Sequence, residues 1–215
     1  MRKVFIAAIL MWCIGDCMEN ADAAGPEIPR SVRVSILSNH QVSEVVVRAE
    51  GGLFGVSDAS QCDGRRMTFM LKNGNVEVVW SGGKTRTSFA VIRSDTIELT
   101  FAKNGKRERR IYRGEVEISP AKGELLIINE TLLECYVHES AVAELGELPS
   151  KLNVSARREL LASMEIVIRS YLVSEARRHE GGYQFCDLTH CVHFPGVTDG
   201  GASLSAGVLL LDGSK

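Results

Sequence analysis

Met67-Thr68-Phe69-Met70-Leu71-Lys72-Asn73-Gly74-Asn75-Val76-Glu77-Val78-Val79-Trp80 is the stretch whose reading decides the fold. Two apolar, β-prone runs flank an Asn-Gly pair, and both turn residues tolerate the positive φ that a two-residue hairpin turn demands. The pattern predicts strands over residues 67–71 and 76–80 joined by a hairpin. The same logic extends in both directions. Val32-Arg33-Val34-Ser35-Ile36 alternates with period two, and residues 45–47, 89–92 and 96–101 are further β-rich runs. Between them stand the turn signals Gly51-Gly52, Asp63-Gly64, Gly82-Gly83 and Asn104-Gly105. Residues 31–128 therefore read as mostly antiparallel β.

The period then changes. Leu133, Tyr136, Val137, Ala141 and Leu145 fall at helical spacings before Pro149 interrupts. Ser155 is the expected N-cap of a second helix, with Arg158 where a capping box would place Glu. Leu160, Leu161, Met164, Val167, Ile168, Tyr171 and Leu172 mark one face of that helix, which is expected to run to about Arg178. The bland meaning of such a stripe is core packing. Gly181-Gly182 ends the helix, and a Cys/His-rich loop follows. The expected class is α+β, with an antiparallel N-terminal half and a helical region from residue 129 onward.

Composition bounds the function. The chain has 215 residues, 45% hydrophobic and 24% charged, with a net charge of −2, which excludes a disordered, collagen-like or multi-span membrane chain. It has neither a basic excess nor an aromatic-rich basic stretch, so a nucleic-acid partner is not expected. Met1-Arg2-Lys3 precedes an apolar run from Val4 to Gly15, too short to span a bilayer at ~20 residues. With Ala21-Asp22-Ala23 it reads as a signal peptide of residues 1–23, followed by a linker over 24–30. The expected location is periplasmic or cell-surface. Lipid anchoring through Cys13 or Cys17 is the rival, disfavoured because Trp12 and Asp16 stand where small residues are wanted. Past the leader, Cys62, Cys135, Cys186 and Cys191 remain.

Two stretches read together as familiar. Arg110-Ile111-Tyr112-Arg113-Gly114-Glu115-Val116-Glu117-Ile118 and Ile127-Ile128-Asn129-Glu130-Thr131-Leu132-Leu133-Glu134-Cys135-Tyr136 resemble the strand pair and helix entry of the stage II sporulation protein D / amidase-enhancer family. Residues 159–171, ending Ile168-Arg169-Ser170-Tyr171, resemble that family's long helix, and Cys186-Asp187-Leu188-Thr189-His190-Cys191 its C-D-T-T-H-C segment. The resemblance covers about residues 31–196. Met164 and Ala162 depart from it by replacing a Gln and a Lys of the family pattern. Gly207 to Lys215 resembles a late family strand, so that the family's last segment, which completes the substrate groove, would be missing.

The resemblance implies a lytic transglycosylase-like protein acting on peptidoglycan glycan strands stripped of stem peptides, with a cell-wall amidase as a further partner. Such chemistry needs one carboxyl group and no cofactor. The group protonates the glycosidic oxygen and then takes a proton from the sugar's own 6-hydroxyl, so the second carboxylate of a hydrolase is dispensable. The family's spacing from the helix-entry Tyr136 lands on Glu144. Helical geometry sets that residue on or beside the apolar face, where partial desolvation would favour its protonated form. Glu147 is the alternative, because Glu147-Leu148-Pro149-Ser150 is similar to the family's E-M-P-S. Arg169 and Tyr171 match the family's helix end and are the expected supporting residues. A non-catalytic wall-binding or amidase-enhancing module is the alternative function, and a β-rich interaction protein unrelated to the wall is a third.

His179, Cys186, His190, Cys191 and His193 crowd one loop. Imidazoles beside two cysteines make a four-coordinate zinc chemically reasonable, whereas an exported location suits a Cys186–Cys191 disulfide. Both remain open on the residues alone. The resemblance implies a structural zinc held by Cys186, Cys191 and the upstream His179.

Overall fold

The computed structural model describes residues 29–49, 53–56, 66–175, 179 and 181–197. The leader, most of the linker, Cys13, Cys17, Cys62, the turns expected at 51–52 and 63–64 and the strand expected at 207–215 lie outside the described residues. The described chain is α+β, as the sequence implies. Its strands are β1 Ser31–Ile36, β2 Glu44–Ala49, β3 Leu53–Val56, β4 Arg66–Lys72, β5 Asn75–Trp80, β6 Gly83–Thr87, β7 Ala90–Lys103, β8 Lys106–Ala121 and β9 Glu124–Leu132. Helix α1 Leu133–Leu145, a 3-10 turn Leu148–Lys151, helix α2 Val154–Ser174 and the short strand β10 Phe185–Cys186 complete it.

The strands form one sheet in the order β10-β1-β9-β8-β7-β2-β4-β5-β6, with β3 also paired to β7. Among the described residues, only the β1–β10 pairing is parallel. Both Asn-Gly turns are two-residue hairpins with left-handed φ, at 52° and 75° for Asn73-Gly74 and 51° and 75° for Asn104-Gly105. Lys122-Gly123 makes a third turn of the same kind, at 51° and 86°. The runs expected at 89–92 and 96–101 merge into one strand, β7, because a register shift between Ser94 and Ile97 absorbs the interruption.

Alternate residues of the strands build the core. Val45, Val47, Phe69, Val76, Val78, Leu99, Phe101, Val116 and Ile118 are all 2% exposed or less. The sheet curls enough for β5 to meet β8 and β4 to meet β9, so these residues face one another across a single interior.

Strand β8 is where the sheet opens. Strand β9 pairs with it only from Glu115 onward, then leaves it and runs to Leu132 beside β1. The boundary expected at residue 128 thus falls inside β9. Gly114 marks the divergence, at φ 90°, where an added Cβ would stand 2.3 Å from the Glu130 carbonyl oxygen. Asn129, fully buried, donates from Nδ2 to the carbonyls of Arg113 and Glu115 and so bridges the parting backbones. Segment 194–197 fills the gap, with the Val197 N–H donating to the Ile111 carbonyl at 2.7 Å.

Helix α1 begins where β9 ends and buries Leu133, Tyr136, Val137, Ser140, Ala141 and Leu145. Burial raises the pKa of the Tyr136 hydroxyl far above its ordinary value. Helix α2 packs on α1, and its N-cap is Asn153, whose Oδ1 accepts from the Ala156 N–H at 2.9 Å. Ser155 therefore lies inside the helix rather than at its cap. The apolar stripe is narrower than expected: Ile168 and Leu172 are buried, while Val167 is 61% exposed. The helix rests on the surface of α1 and does not lie between two layers.

Candidate metal centre and carboxylate

The Cys/His loop is stitched to β1. Strand β10 pairs Phe185 with Val34 and Cys186 with Ser35. The Gln184 N–H donates to the Arg33 carbonyl, and the Asp187 N–H to that of Ser35. Asp187, whose side chain is 3% exposed, accepts from the Leu37 N–H at 2.7 Å, the Ser38 N–H at 3.1 Å and Arg110 Nη1 at 3.3 Å. The turn then closes through the Cys191 N–H on the Leu188 carbonyl and returns Cys191 to Cys186. Tyr171, half-buried on α2, donates its hydroxyl to the His190 carbonyl at 3.3 Å and packs its ring on Phe185.

Four side chains converge there. One ligand atom from each of His179, Cys186, His190 and Cys191 lies within 4.8 Å of every other. His179 Nε2 is 3.1 Å from Cys191 Sγ, Cys186 Sγ is 3.3 Å from His190 Nε2, and the two sulfurs are 3.6 Å apart. Tetrahedral bonds of ~2.3 Å to sulfur and ~2.05 Å to nitrogen put neighbouring ligand atoms ~3.3–3.8 Å apart. The donor set therefore fits a metal ion. Without one, burial pushes the Cys186 thiol up to about 11.

This geometry does not contain the disulfide of the alternative reading. Cys186 and Cys191 are free thiols at a separation well beyond the ~2.05 Å of an S–S bond. It also adds His190 to the three ligands expected from sequence. Its place directly before Cys191 was the available signal. His193, one position past the buried Val192, is not part of the cluster.

Glu144 lies near the C-terminal end of α1, and its Oε1 accepts the backbone N–H of His193 at 2.8 Å. The side chain is exposed, so the partial desolvation expected from helical spacing is not present. Glu147 is exposed just beyond the helix. Arg169 does not support Glu144. Its guanidinium hydrogen-bonds Glu134 through both Nε and Nη2 and lies 3.7 Å from Glu165, while His138 Nδ1 is 3.0 Å from the same Glu165. Glu134 precedes Glu144 by about 15 Å along the helix axis. Arg169 therefore clamps α2 to α1. Tyr171 supports the metal loop and not the carboxylate.

No family model, curated protein or solved structure matches the chain.

Proposed function

We propose that this chain is an exported protein acting on peptidoglycan, cleaving glycan strands in the lytic transglycosylase manner with Glu144 as the single acid and base. The observation that carries the reading is the His193 N–H on Glu144 Oε1. A single residue, Val192, separates His193 from Cys191, so the loop holding the four-ligand cluster also orients the carboxylate. Oε2 takes no hydrogen bond among the described residues. Glu144 donates its proton to the glycosidic oxygen as the C1–O bond breaks. It then takes the proton of the 6-hydroxyl as O6 bonds to C1, ending in its starting state. The intramolecular hydroxyl replaces the positioned water of a hydrolase.

The cluster is assigned to zinc, held by His179, Cys186, His190 and Cys191. Four protein ligands leave no open position, so the ion is structural, fixing the loop that carries His193. The exposure of Glu144 favours a second reading, a wall-binding or amidase-enhancing module without turnover, because an acid catalyst gains from a drier site.

Mass spectrometry of denuded glycan strands incubated with the protein tests the choice. Products ending in 1,6-anhydro sugars that vanish in Glu144→Gln support catalysis at this residue. Loss only in Glu147→Gln moves the acid to the turn after α1. Binding without products supports the module.

A further inference from the structure

A second polar site shares no lining residue with the metal cluster or with Glu144. The loop between β1 and β2, the tip of the β7–β8 hairpin and the start of β9 enclose an open cavity of about 500 Å³, lined by Asn39, His40, Gln41, Lys103, Asn104 and Glu124. That volume lies within the usual range for small-molecule pockets.

The loop is fixed in place. Leu37 and Gln41 both hold left-handed conformations, at φ 59° and 46°, which non-glycine residues adopt only when their surroundings impose them. The surroundings here are the buried Asp187, which takes the N–H groups of Leu37 and Ser38, and the His40 N–H on the Leu37 carbonyl. Ser38 Oγ adds a bond to the Ser35 carbonyl. The His40 ring stands 5.2 Å from that of Phe101, and Arg110 lies over the same ring.

The chemistry of the lining selects the ligand. Arg110 Nη2 is 3.3 Å from His40 Nε2, and a guanidinium only donates. Nε2 is therefore the acceptor, the ring is neutral, and Nδ1–H is left to donate. Burial, Arg110 and Lys103 together hold the His40 pKa below its ordinary value. Lys103, the cation of the lining, is paired with Glu108, and the Glu124 carboxylate stands in the same wall as a further acceptor, so the walls do not select an anion. The carboxamides of Asn39, Gln41 and Asn104 are not used in hydrogen bonds among the described residues. Each carries both donors and an acceptor, which suits vicinal hydroxyls that also donate and accept.

We infer that this cavity is a binding site for a neutral saccharide unit, held by the carboxamides of Asn39, Gln41 and Asn104 and by the His40 ring. It uses none of the residues assigned to glycan cleavage and stands whether or not Glu144 is a catalyst.

The test is an NMR titration of the intact protein with methyl β-N-acetylglucosaminide, following backbone amides of residues 38–41 and 102–105. Saturable shifts at millimolar sugar are expected. They should weaken about tenfold in the double variant Gln41→Gly/Asn104→Gly, which removes two carboxamides. Glycine suits both left-handed positions, so folding is not at stake. Glu144→Gln should bind the sugar unchanged, separating this site from the cleavage reading. Absent or unsaturable shifts, equal binding by the double variant, or displacement of the sugar by equimolar inorganic phosphate would each overturn the assignment.

Discussion

Replacing Asp187 probes the joint between the metal loop and the sheet. Its Oδ2 accepts from the Leu37 N–H and from Arg110, and its Oδ1 from the Ser38 N–H. Leu37 is 3% exposed, so Asp187→Ala strands a buried donor at ~1–3 kcal/mol, with a smaller share for the half-buried Ser38. Arg110, 18% exposed, also loses its counter-charge. The sum comes to about 3–5 kcal/mol, the range for breaking a buried pair. Asp187→Asn keeps one oxygen for Leu37 but turns an amide N–H toward the Ser38 N–H, and about 2 kcal/mol is expected. Against a total stability of ~5–15 kcal/mol for a typical domain, both losses are readily measured. Urea unfolding gives the magnitudes, and hydrogen exchange at Leu37 and Ser38 locates them. A loss below about 1 kcal/mol in Asp187→Ala, with exchange unchanged at both amides, would refute the reasoning.

Two other outcomes follow from the same structure. Elemental analysis of protein purified without chelator should find one zinc per chain, lost in Cys191→Ser and kept in Cys135→Ser, since Cys135 lies outside the cluster. The clamp between the helices should give an acid-dependent contribution to stability. The Arg169 hydrogen bond holds the Glu134 carboxyl below its ordinary pKa, so the contribution is complete above the unfolded-state value and lost as pH falls through the folded one. The pair is largely exposed, which limits it to about 0.2–1 kcal/mol. Urea unfolding of the native protein and Glu134→Gln at neutral and acid pH should show the difference shrinking in acid; a constant difference would exclude the clamp.

The strands and turns were legible because their causes are local. Asn73-Gly74 and Asn104-Gly105 favour positive φ whatever surrounds them, and alternation at Val32 to Ile36 specifies two faces before any partner strand is known. Helix α1 could likewise be read from its spacing alone. The turn at Lys122-Gly123 was not, because lysine carries no such preference and tight pairing of β8 with β9 imposes its φ of 51°.

The candidate site divides in the same way. Residue types and their crowding after α2 pointed to a metal or a disulfide, and nothing local could choose between them. The convergence of the four side chains comes from the parallel pairing of β10 with β1, two residues long and thus without a periodic signal, together with a turn that brings His190 beside the cysteines. The use of Asp187 to hold Leu37 and Arg110 depends on residues 150 and 77 positions away. Helical spacing placed Glu144 beside the apolar face, but the packed helix leaves its side chain exposed, with the His193 N–H on its carboxylate. Sequence by itself determined which backbone conformations and donor atoms were available. Only the tertiary structure decided which of them meet, because convergence depends on packing between segments that share no local pattern.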